Sequence, residues 1–128
     1  MKKPVWVRRD VVLAFHERLL AEHGGAAGIR DEGMLDSGLG RPENLFAYGK
    51  LTLFDLAASY AFGLAKNHPF IDGNKRIGFA AATLFLELNG LRFGAPEVDA
   101  VLHTLALAAG EESEAAFSEW QKANSKRA

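Results

Sequence analysis

The chain is organised around the stretch His68-Pro69-Phe70-Ile71-Asp72-Gly73-Asn74-Lys75-Arg76, which separates two apolar segments. Residues 53–66 before it and residues 77–88 after it carry apolar side chains at helical spacing, so each segment predicts a helix. The second helix is expected to begin at Gly73 or Asn74, so that its free backbone N–H groups and its positive dipole end face the stretch. Anions are stabilised at such a position. The stretch therefore has the chemistry of a loop that handles phosphate.

The polar side chains of the stretch supply three kinds of group that a phosphate site needs. His68 is the only one suited to take a proton from a hydroxyl near neutral pH. Asp72 is the natural ligand for a Mg²⁺ ion that accompanies nucleotide phosphates, because Mg²⁺ binds through one or two carboxylates together with phosphate oxygens. The groups expected to hold phosphate oxygens, or to let them approach closely, are Gly73, Asn74, Lys75 and Arg76.

A purely structural interpretation of these residues also exists. His68 and Asp72 could cap the two flanking helices, and Lys75 and Arg76 could form a solvated first turn. Cations in the first turn of a helix are unfavourable unless a negative group offsets them, which argues for an anion at this place. The other three histidines have ordinary explanations: His16 lies among charged residues, His23 precedes a glycine pair, and His103 lies beside apolar positions.

Composition limits the class of protein. With 128 residues, the chain has the length of one domain, expected to span residues 1–128. Its net charge of −1 argues against direct nucleic-acid binding, and its lack of cysteine excludes disulfides and thiol catalysis. No secretion signal is expected at the N-terminus, and the longest apolar run, about ten residues, is too short to cross a bilayer. We therefore expect a cytoplasmic protein without a membrane partner.

Apolar periodicity predicts an all-α fold, a bundle of about six helices around a central helix. Residues 77–88 are apolar almost all round, which favours the centre of the bundle for that helix. Residues 40–50 contain turn residues and no clear period, so a loop or a small irregular hairpin is expected there. The tail, residues 122–128, is polar and is expected to fray.

The central stretch resembles the signature of the Fic/Doc superfamily, and its lysine form resembles the death-on-curing (Doc) branch. Similarity to that branch extends through His23-Gly24-Gly25, Arg41-Pro42, residues 57–60, residues 84–90 and residues 108–111. The resemblance implies a single compact Fic/Doc-like helical bundle with a small flap. It also suggests that residues 41–50 form that flap and line the cleft.

The Doc resemblance implies a function as well. Members of this branch are protein kinases that present the γ-phosphate of ATP to a hydroxyl of elongation factor Tu, and they are the toxins of type II toxin–antitoxin systems. Carried over by position, His68 would be the base, Asp72 the Mg²⁺ site, and Asn74, Lys75 and Arg76 the phosphate ligands. ATP and Mg²⁺ are the cofactors implied. The implied partners are an antitoxin protein, whose disordered tail folds onto the toxin, and elongation factor Tu as substrate.

Two positions depart from the wider Fic pattern. Lys75 stands where typical Fic adenylyltransferases have a second glycine, and Phe79 stands where they have a further arginine. The lysine would fill a backbone cradle for the anion, and the missing arginine removes a phosphate clamp. These differences favour phosphate transfer. Two alternatives remain at this point: transfer of AMP or another nucleotide-derived group, and a non-catalytic module that blocks translation by binding a partner.

Overall fold

Six helices and two short strands make up the part of the chain that the computed structural model describes, residues 3–49 and 51–128. The predicted all-α class is confirmed, and the two strands add only a small antiparallel sheet. No helix among the described residues is long and apolar enough to cross a membrane. The elements are α1 (Arg9–His23), α2 (Glu32–Tyr48), α3 (Leu53–Asn67), α4 (Asn74–Leu88), β1 (Leu91–Phe93), α5 (Glu97–Ala109), α6 (Glu114–Ala123) and β2 (Ser125–Arg127).

The central position belongs to α3, not to α4 as its apolar sequence suggested. α3 contacts α2, α4, α5 and α6, and it is buried continuously from Leu56 to Ala61. It begins with a capping box in which the side chain of Thr52 accepts from the Asp55 N–H, while the Asp55 carboxylate accepts from the Thr52 N–H. A helix that packs against neighbours on every side must be apolar all round, and the small residues of α3 hid this in the sequence.

The apolar side chains of α4 lie on two faces of the helix, one buried in the core and one lining a cavity. Ile77, Ala81 and Phe85 are buried against the core. Phe79 and Leu84 lie on the other side, where they line a cavity of about 890 Å³. The all-round apolarity of this helix therefore reflects a cavity wall as well as a core contact.

The prediction of a loop or hairpin at residues 40–50 is wrong. α2 runs without interruption to Tyr48, with Pro42 inside it, and Lys50 lies outside the described residues. The Asp31 side chain caps the start by accepting from the Met34 N–H, at 3.0 Å. Leu39 and Pro42 then extend one buried face along the helix. Packing of this face against α3 offsets the backbone hydrogen bond that a proline removes from a helix interior.

The polar tail does not fray, contrary to the sequence prediction. Residues 125–127 pair with residues 91–93 as β2 and β1, in the register Leu91↔Arg127 and Phe93↔Ser125. The backbone N–H of Ala128 donates to the Gly90 carbonyl at 3.0 Å and extends the pairing by one residue. Phe93 packs against Trp120, with ring centroids 5.1 Å apart, so the short sheet is anchored on α6. Polar side chains in the tail are compatible with a strand because its backbone makes these contacts.

Candidate active site

The polar segment, residues 68–76, connects α3 to α4 through two residues with left-handed backbone. His68 follows the last residue of α3 with φ 49° and ψ 55°, and Gly73 precedes α4 with φ 76° and ψ 19°. The first hydrogen bond of α4 runs from the Ile77 N–H to the Gly73 carbonyl. The backbone N–H groups of residues 74–76 are therefore without partners inside the helix. This is the helix N-terminus that the sequence predicted, displaced by at most one residue.

One cavity of about 890 Å³ brings together the residues proposed from the sequence. Phe70 does not line it, because its side chain is buried in the core. α1, α4 and α5 supply the remaining walls. The predicted site residues that line the cavity are His68, Asp72, Gly73, Asn74, Lys75 and Arg76.

Asn74 holds the polar segment in shape. Its Oδ1 accepts from the Phe70 N–H and its Nδ2 donates to the Phe70 carbonyl, both at 2.9 Å. Its Nδ2 also lies 3.4 Å from Nδ1 of His68, which is a long contact for a hydrogen bond. The side chain is buried, so its amide is engaged with the backbone of the segment while its own N–H belongs to the free helix end.

Asp72 is an exposed residue whose carboxylate has two backbone neighbours. Oδ1 accepts from the Gly73 N–H at 2.8 Å, and Oδ2 lies 3.4 Å from the Ala26 nitrogen. A carboxylate oxygen has further lone pairs, so these contacts leave capacity for a cation. Among the described residues, no group of three or more His, Asp or Glu side chains could hold a metal ion. A single carboxylate nevertheless fits Mg²⁺ that arrives with phosphate oxygens, since Mg²⁺ keeps several waters.

Lys75 and Arg76 are exposed in the first turn of α4. No salt bridge among residues 3–49 and 51–128 uses either of them. The first turn of α4 contains no acidic residue either. Two cations at the positive end of a helix dipole, without a carboxylate partner in the described structure, favour an external anion at this place.

A buried histidine contacts this segment and was missed by sequence reasoning. His16 is only 3% exposed, and its Nε2 lies 2.8 Å from the carbonyl oxygen of Asp72. Its ring stacks on Phe70 with centroids 3.7 Å apart and an angle of 13° between the planes. The signal was present, because His16 is four residues after Val12 and so falls on the buried face of α1.

Residues 28–31 run beside the polar segment and form a second support. Ile29 and Phe70 form an antiparallel bridge, and the Arg30 N–H donates to the Pro69 carbonyl at 2.7 Å. The Arg30 guanidinium donates to the carbonyls of Asn67 and His68, at 3.0 and 2.6 Å. Arg30 thus satisfies the carbonyl end of α3 and supports the left-handed backbone of His68. Sequence reasoning missed this role because Arg30 lies far in the chain from the two carbonyls that it binds.

The segment expected to form the flap does not line the cavity. Residues 41–49 are absent from its walls, and they belong mainly to the second half of α2. Arg41 is committed elsewhere: its two terminal nitrogens lie 2.8 and 2.6 Å from the carboxylate of Glu114, and its guanidinium lies over the Phe62 ring. This bidentate pair joins α2 to α6. The predictions that this segment forms a flap and lines the cleft are therefore wrong for residues 41–49, the part of it that the structure describes.

Known proteins resemble this chain over most of its length. The model of the Fic/DOC family matches residues 6–86, which include α1 and most of α4. Protein kinase doc from Escherichia phage P1 is 35% identical over 104 residues, which are 80% of this chain and 81% of that protein. Toxin Doc from Mycolicibacterium smegmatis is 42% identical over 76 residues, 56% of this chain and 57% of that protein. The family model covers more than half of this chain, and the polar segment lies inside the matched region. The chain therefore belongs to the Fic/DOC family.

Proposed function

We propose that this protein is the toxin of a toxin–antitoxin pair and that it transfers the γ-phosphoryl group of ATP to a Ser or Thr hydroxyl of a translation factor. The observation that carries the proposal is that His68, Asp72 and the free N-terminus of α4 meet in one cavity, together with two cations that form no salt bridge among the described residues. The two relatives, one named as a protein kinase and one as a toxin, support both parts of it.

In the proposed reaction, the target hydroxyl oxygen attacks the γ-phosphorus in line. A new oxygen–phosphorus bond forms as the bond from the γ-phosphorus to the β–γ bridging oxygen breaks, and ADP leaves. His68, which lines the cavity, takes the hydroxyl proton on its imidazole ring. Positioning and charge stabilisation supply most of the catalysis in such a transfer.

The phosphate oxygens would be held by the first turn of α4. The N–H groups of residues 74–76 offer a cradle, with Lys75 and Arg76 adding full charges beside it. Asp72 would hold Mg²⁺, and when bound the ion supplies charge neutralisation for the β- and γ-phosphates. Gly73 leaves the approach to the helix end free of a side chain.

The surroundings of Phe79 favour phosphoryl transfer over nucleotide transfer. This residue occupies the position where typical Fic adenylyltransferases have an arginine. Its ring packs edge-on against Phe93, with centroids 5.7 Å apart, and it lies near Trp120. An aromatic cluster offers no clamp for a phosphate, so the nucleotide pose of adenylyltransferases lacks one of its supports here.

The proposal is tested by supplying ATP labelled at either the γ- or the α-phosphate, with Mg²⁺ and a bacterial lysate. Label is expected to reach a protein from the γ position only, and the labelled protein is expected to be elongation factor Tu. Label from the α position alone would instead support transfer of AMP. His68→Ala should abolish transfer and toxicity while the protein stays folded by circular dichroism, and Lys122→Ala serves as a surface control. Toxicity retained by folded His68→Ala would favour the non-catalytic module.

We place the antitoxin on the outer face of α5. Four of its apolar side chains are exposed at helical spacing, between 46% and 68%: Val98, Val101, Leu102 and Leu105. Val101 and Leu105 also line the cavity, so this face continues into the proposed active site. An amphipathic segment of the antitoxin could cover both. Leu102→Asp is expected to weaken antitoxin binding more than tenfold by calorimetry without lowering phosphoryl transfer; equal affinity would exclude this face.

A further inference from the structure

His16 joins α1 to the polar segment by two different contacts. The carbonyl of Asp72 can only accept a hydrogen bond, so Nε2 of His16 must carry the hydrogen that it donates across 2.8 Å. The same ring lies flat against Phe70, which is itself buried in the core. A histidine that is only 3% exposed and fixed on both counts has little freedom to turn.

The hydrogen bond from His16 acts on a peptide group that carries a second function. The Asp72 carbonyl and the Gly73 N–H belong to one planar trans peptide, and in such a group they point in opposite directions. The Gly73 N–H donates to Oδ1 of Asp72 at 2.8 Å. Holding the carbonyl on Nε2 of His16 therefore also fixes the direction of the N–H, and with it the position of the carboxylate oxygen that accepts from it.

Gly73 makes this restraint necessary. Its φ of 76° lies in a region that glycine enters as readily as its mirror image, so the backbone alone specifies the peptide direction weakly. A Cβ at Gly73 would lie 3.5 Å from Nε2 of His16, an ordinary contact distance, so His16 approaches the glycine closely without crowding it.

We propose that His16 is a positioning residue that orients the Asp72 carboxylate through the Asp72–Gly73 peptide; as a role in phosphoryl transfer, this rests on the function proposed above. His16 touches neither the transferred group nor the hydroxyl. It fixes where the carboxylate lies relative to the phosphates held at the start of α4. Misplacement of such a group by about 1 Å lowers the rate on the order of 100-fold.

Two substitutions at His16 test its hydrogen-bond donor and its aromatic ring separately. His16→Phe keeps an aromatic ring against Phe70 and removes the donor, whereas His16→Gln keeps an N–H donor and removes the ring. With saturating ATP and target, His16→Phe is expected to lower kcat on the order of 10- to 100-fold, and His16→Gln to recover most of it. Val12→Ala, a second buried change on α1, is the control for lost packing and should leave kcat within about twofold at temperatures where it is folded. Equal kcat for wild type and His16→Phe would overturn the proposal.

Two measurements do not depend on activity and keep the proposal separate from the proposed function. In the wild-type protein, ¹⁵N chemical shifts of the His16 ring should show a hydrogen on Nε2. An Nε2 without a hydrogen would refute the hydrogen bond to the Asp72 carbonyl, and with it the proposed role. Amide hydrogen exchange at Gly73 should be at least tenfold faster in His16→Phe than in wild type, with His16→Gln close to wild type. Equal exchange in all three proteins would refute it. If wild type transferred no label, the kinase proposal would fail while these two results would still decide the role of His16 in the fold.

Discussion

Asn74 has one amide group, and both of its polar atoms are used by the backbone of a single residue. They bind the N–H and the carbonyl of Phe70, which is 1% exposed. Asn74→Ala would leave both groups unpaired in the core, so we expect the free energy of unfolding to fall by about 1–3 kcal/mol. Asn74→Asp keeps the acceptor for the N–H but sets a buried carboxylate oxygen against the Phe70 carbonyl, so its loss at neutral pH should be at least as large. Urea unfolding at neutral pH measures both.

An exposed asparagine on α2 is the matched control for this prediction. Asn44→Ala should change the free energy of unfolding by less than about 0.5 kcal/mol. The measurement also separates two roles for Asn74 itself. Unchanged stability combined with lost ATP binding would mean that its side chain binds phosphate, as the Doc resemblance implies, and that the contacts with Phe70 matter little.

At the scale of single residues, the sequence predicted the members of the candidate site that are close together in the chain. His68, Asp72 and the first residues of α4 could be found together because nine consecutive positions carry them. His16 and Arg30 contact the same segment from 56 and 38 residues away. Periodicity shows that a side chain faces inward but not what it meets there, so neither partner could be named.

The start of α3 is tied to α6 through one carboxylate, which makes the stability of this contact depend on pH. Burial raises the pKa of Asp55, but hydrogen bonds from Thr52 and from the Ser118 hydroxyl outweigh it and lower the pKa below its ordinary value. A lowered pKa in the folded state means that the ionised form is the stabilising one. Its contribution is therefore complete above the unfolded-state pKa of about 4 and is lost as the pH falls through the folded-state value.

Asp55→Asn tests this dependence. The substitution should lower the free energy of unfolding by about 1 kcal/mol at pH 7, because it weakens a helix cap and a bond to α6. The difference from wild type should shrink as the pH falls below about 4, because the carboxylate of the unfolded state takes up its proton there while the folded state holds the pKa lower. Urea unfolding at pH 7, 5 and 3.5 measures it, with Glu119→Gln on the exposed side of α6 as control. A difference of the same size at all three pH values would contradict the prediction.

At the scale of elements, sequence signals failed where tertiary contacts outweighed local preference. Pro42 and the glycines near it indicated a loop, yet α2 continues through Pro42 to Tyr48, and Leu39 and Pro42 lie on its buried face. The polar residues 125–127 indicated a fraying tail, yet their backbone pairs with β1. Helix caps are more local signals: the side chain of Ser113 accepts from the Ala116 N–H at 3.0 Å at the start of α6, and serine is a preferred residue at that position.

The whole molecule is assembled around close helix contacts made at glycines. Gly38 of α2 and Gly63 of α3 meet so closely that a Cβ on Gly63 would lie 3.2 Å from the backbone of Gly38. A Cβ on Gly78 of α4 would lie 2.9 Å from the Ala61 carbonyl oxygen of α3. The central helix is thus approached closely on two sides: an added Cβ would clash with backbone at Gly78, and at Gly63 the neighbouring backbone would have to give by a few tenths of an ångström. Sequence patterns predict the number of helices but not such approaches, and this is why α4 was expected in the place that α3 occupies.

Gly78→Ala and Gly40→Ala are predicted to change stability in opposite directions. Both glycines lie inside helices, so alanine should add up to about 1 kcal/mol of helix stability at either position. At Gly40 nothing lies within 4 Å of the added Cβ, and the gain should appear in full. At Gly78 the Cβ meets backbone atoms that cannot turn away, and overpacking costs about 1–3 kcal/mol or more, so net destabilisation is expected.

Urea unfolding of Gly78→Ala, Gly40→Ala and wild type measures the sign of each change in the free energy of unfolding. Because α4 begins at the polar segment, a shift of α4 away from α3 should also displace Lys75 and Arg76 relative to His68, which stays at the end of α3. Gly78→Ala should therefore weaken ATP binding in the folded protein, while Gly40→Ala should leave it unchanged. If both alanines stabilised the protein, the contact between α3 and α4 would have room to open without loss, and the position of the site would not depend on how closely those two helices pack.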